Sequence, residues 1–244
     1  MLLIPASRLA LLFPWKTASQ TLQTRLGPLG RQPYPKLPAF NPRLRRVVHQ
    51  HLTLADWEAL PESREGYALA VFVRNPYDRV VSGFRQMLRD VQVLPRLRHP
   101  SPMVRELIAE QAGRIYSGLS RAAFDVDRWF QQLPSHEVLD AGQNVALPLH
   151  PCTYWTHDGT GQRAAFIGRV ESFEADFHRM RERYGLPATS AENANRSDDL
   201  PARPDANGYL YAHRLRPRTI ARINELFAED FAKLDYPRLP AGPG

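Results

Sequence analysis

Residues 67–86 read YALAVFVRNPYDRVVSGFRQ, and this stretch limits the fold more than any other. The apolar, partly β-branched run 67–73 has the pattern of a strand buried on both faces. It passes without a spacer into a helix. Asn75 is a favoured N-cap, Pro76 suits the first helical position, Asp78 lies in the first turn, and the periodicity continues to about residue 91. A doubly buried strand feeding a helix is the repeating unit of a parallel sheet. The succession recurs where the strand-like run 8–12 leads through FPWKTASQT into a helix, and where AAFIG at 164–168 precedes a helix over 172–183. A short strand is expected at 45–50 and a short helix at 53–60, with Thr53 as its cap. Helical periodicity also marks 103–116, 123–133 and 217–234, the last with Ile220, Ile223, Leu226, Phe227 and Phe231 on one face. The segments 27–42, 94–102 and 191–207 read as connections. The expectation is an α/β fold: a single domain over 1–244 with a mainly parallel central sheet flanked by helices.

The 43% hydrophobic content of the 244 residues supports a sizeable core. The net charge of +7 favours an anionic ligand without choosing among nucleotide, polysaccharide, nucleic acid and lipid headgroup. The only cysteine, Cys152, excludes an intrachain disulfide and a multi-cysteine metal site. Residues 1–13 are apolar in tone, but Pro5 and Arg8 interrupt them and Pro14 follows. The run is too short for a bilayer and lacks a signal-cleavage region, so a soluble, cytoplasmic protein is expected.

Three stretches carry candidate chemistry. In FPWKTASQT, a helix N-terminus would offer backbone N–H groups and a partial positive charge to a phosphate. Lys16 adds an ammonium, and Thr17, Ser19 and Thr21 add hydroxyls. The paired glycines of the nucleoside-triphosphatase loop are absent, and taken alone the segment reads equally as a polar turn. In the second stretch, Arg74 stands at the carboxyl end of a buried strand, where ligands of open α/β sheets bind. It can grip a phosphate in a fork, and Ser82 lies about two helical turns on. The competing reading is a local ion-pair cluster of Arg74, Asp78 and Arg79. The third stretch is His49-Gln50-His51, whose two imidazoles point the same way on an extended chain. They could bind zinc, but no third and fourth ligands stand nearby in sequence. They could equally supply a general base.

Together these stretches resemble the PAPS-dependent sulfotransferases of the carbohydrate type, PAPS being 3′-phosphoadenosine 5′-phosphosulfate. KTASQTL resembles the family's 5′-phosphosulfate loop, implying that Lys16, Thr17, Ala18, Ser19, Gln20 and Thr21 surround that group. FVRNPYDRVVSGF resembles the 3′-phosphate motif, whose arginine and serine are here Arg74 and Ser82. AAFIGRVESFEADFHRM and NELFAEDFAKLDYP resemble a later strand-and-helix segment and the C-terminal helix. His49-Gln50-His51 resembles a His-x-His found before the 3′-phosphate motif in some members. Trp15 departs from the family in replacing a proline, and Gln20 replaces a threonine, removing a hydroxyl.

The resemblance implies a P-loop-like sulfotransferase fold and sulfuryl transfer from PAPS to a hydroxyl of a carbohydrate or glycoconjugate, releasing 3′,5′-ADP. Lys16 would stabilise the departing phosphate, and His51, or alternatively His49, would take the acceptor proton. No metal is required by this scheme. A nucleotide-dependent phosphotransferase is the competing enzyme, although a glycine-containing loop and a magnesium-binding carboxylate are not evident. A non-catalytic polyanion-binding module is the competing binding protein. Nucleic acid is not the expected partner, because aromatic–basic interleaving is missing. Secondary candidates are His150, Cys152 and His157 beside Tyr154 and Trp155, the Arg169 and Glu171 pair, Asn195-Arg196-Ser197, and Arg214, Arg216 and Arg218. Packing, loop or surface roles are the default for each.

Overall fold

The computed structural model describes residues 1–34, 39–48, 50–93, 125–131, 150–188 and 203–242. Its strands are β1 (Leu2–Ile4), β2 (Leu9–Leu12), β3 (Ala39–Asn41), β4 (Arg46–Val48), β5 (Ala68–Val73), β6 (His157–Asp158), β7 (Gly161–Gln162) and β8 (Phe166–Arg169). Its helices are α1 (Ser19–Leu26), α2 (Leu54–Glu58), α3 (Pro76–Val93), α4 (Val126–Gln131), α5 (Thr153–Thr156), α6 (Phe173–Arg183), α7 (Pro217–Leu226) and α8 (Ala228–Lys233). The chain forms two compact units, Met1–Arg74 with Cys152–Pro201, and Asn75–Pro151 with Ala202–Gly244.

The first unit holds a sheet of order β1-β2-β5-β8. The β2–β5 and β5–β8 pairs are parallel, and β1 is antiparallel to β2. The fold is therefore mixed α/β with a mainly parallel central sheet. Alternate residues of the strands, among them Leu9, Leu11, Ala70, Phe72 and Phe166, share one core with Leu22 and Leu26 of α1 and Phe177 and Met180 of α6. The intervening residues Ala10, Leu12, Val71 and Val73 are buried too. Burial on both faces is why β5 reads as an unbroken apolar run.

β1 was not expected as a strand. Pro5–Ser7 forms a tight 3₁₀ turn and Arg8 adopts φ 44°, which turns the chain back so that Leu2 pairs with Leu11. The apolar residues 1–13 thus supply the outer strand β1 and the inner strand β2 of the sheet. The expected connection 27–42 likewise ends in a strand, because β3 pairs antiparallel with β4. The Asn41 side chain closes their turn by accepting from the backbone N–H groups of Arg43 and Leu44, at 2.9 and 3.1 Å. The short strand and short helix expected around them are β4 and α2. Thr53 caps α2 through a reciprocal box with Asp56. Another hairpin, β6–β7, also escaped the sequence pattern. Asp158 fastens its turn, and the Thr160 hydroxyl bond, then its N–H and Arg163, hold that carboxyl down to about 2.

In the second unit α3 begins as its sequence implies. The Asp78 N–H donates to Asn75 Oδ1 at 2.9 Å, and Asn75 Nδ2 donates back to Asp78 Oδ2 at 2.9 Å. The Asp78 carboxylate also accepts the N–H groups of Leu210 and Tyr211, at 3.0 and 2.8 Å. Arg79 pairs with Asp230 at 3.4 Å, both side chains being buried, donates to the His150 carbonyl and lies over the Phe227 ring. Tyr77 accepts from the Leu239 N–H and donates to Asn224, and burial pushes its hydroxyl up to about 12.

The single helix expected over 217–234 is two helices. Phe227, at φ −109° and ψ 27°, ends α7 and opens α8. The break lets α8 present a fully buried Asp230 to Arg79, a tertiary demand that overrides a continuous periodicity. The expected helix 103–116 lies outside the described residues, as do 94–102 and 191–202. Of 123–133, α4 is helical and residues 123, 124, 132 and 133 lie outside. Among the described residues no helix is long and apolar enough to cross a membrane.

Gly168 shows how tightly the sheet packs. A Cβ there would stand 2.6 Å from the ring of Phe72, its cross-strand neighbour. That ring is itself held between Phe166 and Phe173, with centroids at 6.1 and 5.2 Å. Overpacking costs about 1–3 kcal/mol, whereas replacing a strand glycine with alanine gains only about 0.5–1 kcal/mol. Gly168→Ala is therefore expected to lose roughly 1–2 kcal/mol in urea denaturation, with the slope unchanged.

Candidate active site

Parallel pairing places the carboxyl ends of β2, β5 and β8 at one edge of the sheet. Leu12 pairs with Val71, and Val73 pairs with Arg169. The Lys16 loop, Arg74 and Arg169 all leave from that edge, the usual ligand edge of an open α/β sheet.

The loop from Phe13 to Ala18 joins β2 to α1. Lys16 and Ala18 take the left-handed conformation, at φ 66° and 62°, so the turn that glycine would usually make is made by other residues. Thr17 is fully buried, and its hydroxyl donates to the Pro14 carbonyl at 2.9 Å. That bond uses the hydroxyl proton inside the loop and leaves the backbone N–H of Thr17 as the donor it could offer an anion. Ala18 is the N-cap of α1 and has no side chain with which to cap it, and the first turn contains no acidic residue. The first helical bond runs from Leu22 N–H to the Ala18 carbonyl at 3.0 Å. A helix start with no capping acceptor and no carboxylate suits an external anion. Ser19 and Thr21 are buried and Gln20 is exposed. The Lys16 ammonium lies 5.8 Å from the Trp15 ring centroid. The tryptophan that departs from the family pattern thus steadies the lysine through its π face.

His51 is brought directly to this loop. Its Nδ1 lies 2.7 Å from the Phe13 carbonyl oxygen, and its Nε2 lies 3.3 Å from Gln50 Nε2. A carbonyl can only accept, so Nδ1 carries the hydrogen and the neutral ring keeps its lone pair on Nε2. Gln50 Oε1 in turn accepts from Gln23 Nε2 of α1, at 2.7 Å. Neither glutamine carries a signal in the sequence, although Gln50 is the middle residue of the His-x-His. His49 lies outside the described residues.

Arg74 follows β5 directly and is buried. The end of that strand is fixed by the Val170 N–H, which donates to the Val73 carbonyl at 2.9 Å. Ser82 lies on α3, in the second unit. It is 4% exposed, and its hydroxyl has no hydrogen-bond partner among the described residues. Asp78 serves the helix cap and the Leu210–Tyr211 backbone, and Arg79 serves Asp230. Those two residues are thus occupied by ties to distant parts of their own unit.

Of the secondary candidates, Arg169 is tied by its backbone into the turn after β8, where the Asp176 carboxylate accepts from the Arg169 N–H at 2.6 Å and from the Ser172 hydroxyl at 3.0 Å. His150 and Cys152 are buried, and the His157 ring bonds to Thr156. Arg216 pairs with Asp125 at 3.2 Å, Arg218 is exposed, and Asn195-Arg196-Ser197 lies outside the described residues. Among the described residues no group of three or more His, Cys, Asp and Glu side chains could hold a metal ion.

The backbone of the loop yields a direct test. A left-handed alanine costs about 1–2 kcal/mol that glycine avoids, while glycine adds about 0.4–1 kcal/mol of unfolded-state entropy. Ala18→Gly is therefore expected to stabilise the protein by roughly 0.5–1 kcal/mol, read as a raised denaturation midpoint. A lowered midpoint would contradict the left-handed conformation at this residue.

No curated protein and no solved structure matches the chain. The model of the Sulfotransferase family matches residues 16–237, from the loop lysine to just beyond α8. With nearly its whole length matched, the chain belongs to the sulfotransferase family.

Proposed function

We propose that the protein transfers a sulfuryl group from PAPS to a hydroxyl of a carbohydrate or glycan-type acceptor, releasing 3′,5′-ADP, with the whole chain acting as one sulfotransferase domain in the cytoplasm. The observation that carries this reading is the hydrogen bond between His51 Nδ1 and the Phe13 carbonyl. It joins a general-base candidate to the loop that would hold the leaving phosphate.

The residues present suit such a donor. The uncapped start of α1 and the N–H groups of residues 17–21 are matched to the 5′-phosphate. Arg74 and Ser82 are assigned to the 3′-phosphate, and the buried Ser82 hydroxyl without a partner is the kind of donor an anion satisfies. When bound, PAPS supplies an activated sulfuryl group whose transfer leaves negative charge on the 5′-phosphate. Lys16 neutralises that growing charge. His51 accepts the acceptor proton at Nε2, its ring held by the Nδ1 bond. His49 is the alternative base, and no metal ion enters the scheme. The single cysteine suits a reducing compartment.

Calorimetric titration with 3′,5′-ADP, 5′-AMP and ATP tests the donor site. Selective binding of 3′,5′-ADP is expected, weakened in Arg74→Ala by about 2–4 kcal/mol, the cost of removing a buried charged partner. Equal or absent binding of all three nucleotides would overturn the donor-site reading. Binding of polyanions alone would point to a non-catalytic module. With PAPS and an acceptor in hand, Lys16→Ala and His51→Ala are each expected to lower kcat by at least about 100-fold, with the 3′,5′-ADP affinity nearly unchanged. Near-normal turnover in His51→Ala would remove that residue from the mechanism.

A further inference from the structure

The chain of bonds behind His51 has a direction. The Phe13 carbonyl accepts from Nδ1, which leaves Nε2 as an acceptor, so Gln50 must donate to it through its amide nitrogen. Gln50 Oε1 then faces away and accepts from Gln23 Nε2 at 2.7 Å. Each glutamine side chain is thus oriented by the one before it, starting from a backbone carbonyl that cannot change its role. Gln23 is buried, and its own Oε1 is a buried acceptor with no hydrogen-bond partner among the described residues. A buried amide left half-satisfied is costly and calls for an explanation.

We propose that Gln50, backed by Gln23, is a positioning residue whose amide reverses when His51 gains a proton. The inference rests on the sulfotransferase reading of this site. Before reaction the Gln50 N–H group holds the ring with its lone pair on Nε2. The acceptor hydroxyl takes the place of this long, 3.3 Å contact. During transfer the acceptor O–H bond breaks and its proton moves to Nε2. The acceptor oxygen forms the new O–S bond as the S–O bond to the 5′-phosphate breaks, and that electron pair leaves on 3′,5′-ADP. His51 is then an imidazolium with N–H on both sides. It can no longer accept from Gln50, but it can donate to Gln50 Oε1 once the amide turns over. The Gln50 nitrogen then faces Gln23, whose amide turns over in the same step and presents its unpartnered Oε1 as the acceptor required. The idle oxygen of Gln23 is the second half of a two-position device.

Isosteric substitutions separate this device from simple packing. A carboxylate can only accept, so Gln23→Glu forces Gln50 to direct its nitrogen toward residue 23 and its oxygen toward His51. Gln50→Glu places an acceptor against Nε2 directly. Both changes preserve shape and should stabilise a hydrogen on Nε2. Long-range ¹H–¹⁵N spectra of histidine-labelled protein, with His51 assigned from His51→Gln, read the ring directly. At neutral pH the native ring is expected to carry hydrogen on Nδ1 alone, and each Glu variant is expected to show a protonated Nε2. In transfer assays with PAPS, Gln50→Glu is expected to lower kcat at least tenfold and further than the smaller Gln50→Ala, with the donor KM unchanged. A purely structural role predicts the opposite order, because Glu fills the space and Ala does not.

A native ring protonated at Nε2, a Gln23→Glu ring spectrum identical to the native one, or a Gln50→Ala enzyme slower than Gln50→Glu would each overturn the proposal. The fold of every variant is checked by its denaturation midpoint. Failure of the native protein to bind 3′,5′-ADP would overturn the sulfotransferase reading instead, and that measurement is independent of the ring spectra.

Discussion

The parallel pairing of β2 with β5 is the constraint on which the rest of the first unit depends. It matches Leu9 to Ala68 and Leu12 to Val71, so two strands far apart in sequence end side by side. Because side chains alternate between the two faces, a one-residue slip would exchange them and pull Leu9, Leu11, Ala70 and Phe72 out of the core they share with α1 and α6. The register is therefore held by the core. The loop carrying Lys16 and the residue Arg74 consequently emerge from the same edge without any contact needed between them. The mainly parallel topology also explains the Gly168 position, since Phe72 fills the space a side chain there would need.

A second constraint acts at the end of β2, where the backbone turns into α1 without glycine. Two residues in the left-handed region make that turn, and the buried Thr17 hydroxyl holds it through Pro14. Local strain of this kind persists only where the surroundings over-determine the conformation. Here the surroundings include the His51 ring, bonded to the Phe13 carbonyl at the start of the turn. The bond that steadies the loop is also the bond that selects the imidazole tautomer, so one interaction serves both structure and chemistry.

Much of the architecture was legible in local signals. The apolar run ending at Val73 and the Asn75, Pro76 and Asp78 helix start are short-range features, and β5 and α3 appear where they indicate. The Thr53 cap behaves likewise. Elements whose pattern was weak or composite were read less well. β1 and β3 are three residues long and exist because a partner strand lies beside them. The continuous apolar face over 217–234 concealed a break at Phe227, because periodicity does not register where a buried Asp230 must meet Arg79. In the site, the types and spacing of Lys16, Arg74 and Ser82 stood out. Gln23 and Gln50 did not, because a glutamine carries no signal until its partners are known.

The sequence by itself determined the strand-to-helix units, the lysine-bearing loop and the family likeness, since each depends on residues within a few positions of one another. Only the tertiary structure decided that His51 meets the Phe13 carbonyl, 38 residues away in the chain, and that Gln50 and Gln23 line up behind it. It also decided that Thr17 turns its hydroxyl inward to Pro14. The physical reason is that hydrogen-bond direction is a property of pairs. A residue's identity sets what it can donate or accept, and only its packed neighbours determine which of those roles it takes.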